Sequence, residues 1–225
     1  MKIDPIWKMM NLLYKPHPWH GIPIGENMPK QVTSYVEIVP TDTIKYEIDK
    51  TTGYLKIDRP QRYSNVCPTV YGFVPQTLCL EKTAEYCSQQ TGRTGIIGDG
   101  DPLDICIITE KTITTGGIIL EVVPIGGIRM LDGEEADDKI IAVLKGDITF
   151  GHLKDITQCP ESIIDRLQHY FLTYKEIPNQ QKKAKVEITD IYGRDSAYEV
   201  IRRSHQDYNA HFGDLEELLT SALRG

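Results

Sequence analysis

Apolar and polar residues alternate from residue 32 to residue 39. Val32, Ser34, Val36 and Ile38 fall on one parity, and Tyr35, Glu37 and Val39 on the other. A period of two predicts a strand. After the turn Pro40-Thr41-Asp42 the alternation resumes over residues 44–48, with Ile44, Tyr46 and Ile48 on one face and Lys45 and Glu47 on the other. Residues 49–53 read as a hairpin turn and 54–58 as the returning strand, with Arg59 at its end. Short apolar runs follow at 70–74, 105–108, 118–123, 125–130, 139–144 and 148–150, separated by Gly, Pro and acidic turn signals. Strands at this spacing predict a closed or nearly closed barrel.

The period lengthens late in the chain. Ile163, Ile164, Leu167, Tyr170 and Phe171 predict a helix over 160–174. Residues 186–191 read as extended. Ala197, Val200, Ile201 and Tyr208 predict a second helix over 195–209, and residues 215–223 a short amphipathic one. Residues 1–31 read as irregular: prolines deny helix to residues 15–23, where Trp19 is expected to anchor an arm decorated by His17 and His20. Residues 81–98 are polar and read as a hairpin extension or a surface excursion.

Composition narrows the field. The 225 residues are 40% hydrophobic and 25% charged, which suits one domain with a sizeable core. The formal net charge of −7 disfavours nucleic acid or an anionic membrane as the main partner. No apolar run approaches the length of a membrane span, and the start of the chain lacks an apolar signal core. The 5 cysteines include no Cys-x-x-Cys pair and read as reduced cytosolic thiols.

Two acidic runs carry the candidate chemistry. The first is Asp99-Gly100-Asp101-Pro102-Leu103-Asp104, which leads straight into an apolar strand. A carboxylate at the mouth of a buried strand needs a partner, and a cation is one that tolerates neighbouring carboxylates. The second is Asp132-Gly133-Glu134-Glu135-Ala136-Asp137-Asp138-Lys139, where Asp132 and Asp137 are the expected inward residues. Together they read as halves of one hard-cation site, whose oxygen-only ligands suit Mg²⁺ or Mn²⁺. A calcium hand fails on spacing, because Leu103 and Asp104 stand where it needs an oxygen ligand and a glycine. Lys45 and Glu47 read either as a solvated pair or as groups aimed into a polar cavity. Tyr71 reads either as core or as a hydroxyl delivered to such a cavity.

The stretch Asp99-Gly100-Asp101-Pro102-Leu103-Asp104-Ile105 resembles the signature of family I soluble inorganic pyrophosphatases, Asp-x-Asp-Pro-apolar-Asp-apolar. Matches in the family's order run from about residue 32 to 176: Glu37, residues 44–50, Asp58-Arg59, Tyr71-Gly72, Asp132 with Asp137 and Lys139, and Tyr174-Lys175. The resemblance implies a mainly β fold with flanking helices, its core a five-stranded barrel of the oligonucleotide-binding type and its periphery α+β. The chain would be one domain, residues 1–225, with an irregular arm 1–31, an insert 81–98 and an extension 190–225. The implied activity is hydrolysis of pyrophosphate to two orthophosphates by a metal-activated water, in a cytoplasmic homo-oligomer that uses neither nucleic acid nor membrane. Mg²⁺ is the implied cofactor, with Mn²⁺, Zn²⁺ or Co²⁺ as substitutes. By the same resemblance Asp101 is catalytic, and Glu47, Asp99, Asp104, Asp132 and Asp137 hold metal, with Glu37 supporting them. Lys45, Arg59, Tyr71, Lys139, Tyr174 and Lys175 bind substrate. Two positions depart from the pattern: Cys67 stands where the family often has Tyr, and Val70 where it often has Asn. Rival readings are hydrolysis of another phosphate compound and a nucleic-acid-binding barrel.

Overall fold

The computed structural model describes residues 15–175 and 186–213. Among these run strands β1 (Val32–Ile38), β2 (Ile44–Ile48), β3 (Leu55–Pro60) and β4 (Val70–Phe73), helix α1 (Glu81–Thr91), then β5 (Ile97–Gly98), β6 (Asp104–Ile108), β7 (Ile119–Asp132), β8 (Glu135–Ala136) and β9 (Lys139–Leu144). A 3-10 turn (Ile156–Gln158), helix α2 (Glu161–Thr173), β10 (Val186–Gly193) and helix α3 (Arg194–Phe212) complete them.

One sheet holds eight strands in the order β1-β4-β6-β9-β7-β8-β5, with β10 added along β7 and β1 also meeting β7; β2 and β3 pair as a separate hairpin. Pairing is antiparallel except for β6 with β9 and β5 with β8. The sheet is buried on both faces. Ile105, Ile107, Ile140 and Ala142 pack in one cluster with Ala197, Val200 and Ile201 of α3. Their neighbours Cys106, Ile108, Ile141 and Val143 pack in another with Leu167, Tyr170 and Phe171 of α2. Period-two side chains therefore reach two apolar layers, which is why β6 and β9 read as continuous apolar runs.

These findings correct the expected mainly β fold with a five-stranded oligonucleotide-binding-type barrel. The fold is mixed α+β, a single eight-stranded mixed sheet packed between helices. The strand β7 also differs from expectation. The two expected strands 118–123 and 125–130 are one 14-residue strand whose length takes β1, β9, β10 and β8 in turn. Pro124 is tolerated inside it because the register with β9 shifts between Pro124 and Gly126, a bulge that excuses the missing donor.

Two local expectations also change. Residues 148–150 form no strand; Ile148 is 87% exposed, and the Asp147 carboxylate instead accepts from the backbone N–H of Glu110, Thr149 and Phe150. Residues 81–98 contain α1, which buries only Thr83, Ala84 and Cys87 against the rest of the molecule. The helices predicted over 160–174 and 195–209 are present as α2 and α3. The helix expected over 215–223 lies outside the described residues. Trp19 anchors the arm as expected: it is 4% exposed, and its Nε1–H donates to the Thr77 carbonyl at 2.7 Å. Among the described residues no helix is long and apolar enough to cross a membrane.

Candidate functional site

Parallel pairing of β6 with β9 sets Asp104 beside Lys139 in register. Asp137 lies two residues before Lys139, just ahead of the start of β9. The Lys139 side chain is 4% exposed, and its ammonium sits against both the Asp104 and the Asp137 carboxylates. Burial works to lower the Lys139 pKa, but these two charges outweigh it and hold the group protonated. Tyr71 of β4 meets the same centre: burial and the Asp104 charge push its phenol well above the usual value. Its neighbour Gly72 lets β4 lie against β1, because a Cβ there would run into the Tyr35 carbonyl.

The β2–β3 hairpin supplies the facing wall. Lys45 pairs in register with Arg59, and the Asp58 carboxylate accepts from both, at 3.0 Å from Lys45 Nζ and 2.7 Å from Arg59 Nη1. Glu47 lies 3.9 Å from Lys45. The Arg59 guanidinium lies 5.7 Å from the centre of the Tyr174 ring, and its Nη2 is buried with no hydrogen-bond partner among the described residues. Behind the hairpin, Glu37 is 6% exposed and accepts from the Ile48 N–H at 2.7 Å. On the far rim Lys175 donates to Asp132 at 2.6 Å and lies over Tyr174.

The acidic loop closes the floor. Its position is fixed by hydrogen bonds from the Cys79 N–H to the Asp101 carbonyl and from the Leu103 N–H to Thr77 Oγ1, both 2.9 Å. Asp99 turns toward Asp137, while Asp101 turns outward to the Lys50 ammonium. A cavity of about 80 Å³ results, lined by Glu37, Lys45, Glu47, Tyr71, Asp99, Asp101, Asp104 and Asp137 among others. So Lys45 and Glu47 do face a polar cavity, and Tyr71 serves both core and cavity. Asp132, Arg59, Tyr174 and Lys175 stand beside it. Asp58 and Lys50 had no expected role. Asp58 was findable, since it adjoins Arg59 at the end of the returning strand. Nothing in the sequence points Lys50 at Asp101 across 51 positions.

Among the described residues no three His, Cys, Asp or Glu side chains gather closely enough to hold a metal ion. Lysines stand between them instead: Lys139 on Asp104 and Asp137, Lys50 on Asp101 and Lys175 on Asp132. Each marks a place where these carboxylates demand positive charge, so an oxygen-ligated divalent cation fits the donor set.

Two carboxylates show the strain of that demand. Burial and the Asp104 charge push Glu37 up to about 8, and burial and the Asp137 charge push Asp99 up to about 8. Unfolding returns both toward ordinary carboxylate values near 4, so the native state holds more protons in between and stability falls as pH rises toward 8. His20, lowered from 6.5 to about 4 by burial, acts with the opposite sign, but most of its contribution is already in place at pH 6.5 and only a small remainder accrues above it. Chelator-treated protein is therefore expected to melt at lower temperature at pH 8 than at pH 6.5. A melting temperature that holds steady or rises across that window would contradict this account.

A family model described as "Pyrophosphatase: Inorganic pyrophosphatase" matches residues 34–209. The inorganic pyrophosphatase of Chlamydia trachomatis serovar D is 53% identical over 195 residues, covering 85% of this chain and 93% of the relative. The soluble inorganic pyrophosphatase of Oryza sativa subsp. japonica is 33% identical over 195 residues, covering 87% and 80%. The crystal structure of inorganic pyrophosphatase from Thermus thermophilus superposes with a TM-score of 0.71 at 29% identity, over 86% of this chain and 99% of that one.

Proposed function

From the premise that this chain belongs to the family I soluble inorganic pyrophosphatases, we propose that it hydrolyses pyrophosphate to two orthophosphates with Mg²⁺ as cofactor. The observation that carries the reading is the convergence of lysines and carboxylates from three strands on one small polar cavity, with Lys139 buried between Asp104 and Asp137. Glu47, Asp99, Asp104, Asp132 and Asp137 would hold the ions, with Glu37 behind them fixing the hairpin through the Ile48 N–H. Mg²⁺, when bound, offsets phosphate charge and makes a water nucleophilic near neutral pH.

Asp101 orients the attacking water and takes its proton on a carboxylate oxygen. The water oxygen bonds to one phosphorus as the bridging P–O bond breaks, and the departing phosphate keeps the electron pair. Lys45, Lys139 and Lys175 neutralise the phosphate oxygens, while Tyr71 and Tyr174 donate hydroxyls to them. Arg59 brings a planar fork that can grip two oxygens, which Lys cannot. The same reading includes a cytoplasmic homo-oligomer, with light scattering as the test of assembly.

A phosphate-release assay on pyrophosphate across a Mg²⁺ series tests the function. The expected result is hydrolysis that disappears in chelator and returns with Mg²⁺; no phosphate release at any Mg²⁺ concentration would overturn it. Arg59→Lys is expected to raise the KM for pyrophosphate roughly ten-fold, because Lys keeps the charge and loses the fork. An unchanged KM would remove Arg59 from the substrate contacts.

A further inference from the structure

A second charge cluster lies apart from the cavity, buried at Arg129 and Asp138 and exposed at Asp190. Arg129 of β7 is 1% exposed. Its guanidinium lies 5.4 Å from the ring centre of Tyr86 on α1 and 4.6 Å from that of Tyr192 on β10. Two carboxylates approach it, Asp138 at 3.8 Å and Asp190 at 3.5 Å. The Tyr192 hydroxyl donates to Asp138 at 3.0 Å. The strand is shaped for that ring: a Cβ on Gly127 would lie 2.5 Å from three of its atoms.

Buried ionic clusters seldom raise stability over an apolar core, so this one calls for another explanation. Chain position supplies it. Asp138 stands between Asp137, which lines the cavity, and Lys139, whose ammonium meets Asp104 and Asp137, while the Asp138 carboxylate meets Tyr192 and Arg129 instead. The Asp137 N–H is itself tied to the Met130 carbonyl, next to Arg129, at 2.9 Å. Partners behind a ligand commonly fix its orientation, and losing one commonly costs 10- to 100-fold in metal affinity or activity, as an order of magnitude.

We propose that Asp138, hydrogen-bonded by the Tyr192 hydroxyl and ion-paired with Arg129 at 3.8 Å, is a positioning residue that fixes the backbone between Asp137 and Lys139 and so sets the placement of Asp137 in the cavity and of Lys139 against it. The inference rests on the pyrophosphatase reading for its consequence in catalysis. Its structural content, the placement of a cation-binding carboxylate, is testable without turnover.

The experiment compares the full-length parent with Tyr192→Phe, Asp138→Asn and Asp138→Leu. Each is titrated with Mg²⁺ by calorimetry, assayed for phosphate release over pyrophosphate and Mg²⁺ series, and melted by circular dichroism. Tyr192→Phe removes one hydroxyl and keeps the ring. It is expected to fold, to bind Mg²⁺ roughly ten-fold more weakly and to show a raised KM with a smaller change in kcat. Asp138→Leu is expected to lose more. Asp138→Asn keeps an acceptor for the Tyr192 hydroxyl and is expected to recover most of that loss. Folded Tyr192→Phe with the parent's Mg²⁺ affinity and KM overturns the proposal, as does Asp138→Asn no better than Asp138→Leu. Should Asp138→Leu fail to fold, Tyr192→Phe alone decides. A parent that binds Mg²⁺ but releases no phosphate overturns the functional reading instead, and the calorimetry still decides the positioning role.

Discussion

Asp101→Asn is expected to fold and bind Mg²⁺ as the parent does, yet to release phosphate about 10²- to 10⁴-fold more slowly. The variant keeps the shape of the side chain and loses a base. Asp101 turns outward to Lys50, whereas Asp104 lies under the Lys139 ammonium with Asp137 opposite. Asp104→Asn is therefore expected to weaken Mg²⁺ binding as well, and raising Mg²⁺ should restore part of its rate. Turnover by Asp101→Asn should not respond in that way. The measurement is phosphate release across a Mg²⁺ series, with circular dichroism to establish folding. Identical Mg²⁺ responses in the two variants would mean that the division between base and ligand is misassigned.

Lys139→Met is expected to lower the melting temperature in chelator, with a loss of about 3 kcal/mol. Its side chain, 4% exposed, carries the ammonium shared by two aspartates whose side chains are 23% and 17% exposed. Removing it leaves like charges facing each other in a partly dry site. Mg²⁺ should then raise the melting temperature of Lys139→Met by more than that of the parent, since no ammonium competes for the same oxygens. The check is a pair of melts, in chelator and in excess Mg²⁺. Equal Mg²⁺-induced increases in the two proteins would count against a cation site at Asp104 and Asp137.

Much of this was legible in the chain. The alternation over 32–38 and 44–48 and the helical spacing of Leu167, Tyr170 and Phe171 correspond to two strands and a helix of the structure. Both are local signals, set by which face of an element is buried. What was hidden depends on partners distant in sequence. Pro124 reads as a strand end, and only pairing with β9 makes it a bulge. Helix α1 carries too few apolar residues to announce itself, because it buries one short face against a fold already formed. In the site, Asp104 and Lys139 could be named from sequence, but their register needed the parallel pair β6–β9. Lys50 and Tyr192 could not be placed at all, since each acts through a contact spanning more than 50 positions.

The length of β7 has a consequence for how this protein is made. Its neighbours come from both ends of the described chain: Val32 pairs with Val122, and Tyr192 with Gly127. Such pairings close long loops before they yield any contact energy, which slows folding. During synthesis β1, β4 and β6 leave the ribosome without β7, and β7 later emerges with one edge waiting for β10. Those unpaired edges are templates for pairing between chains. Expression yield should therefore depend on how long the nascent chain waits for its last strand, and slower translation across β7 and β10 lengthens that exposure.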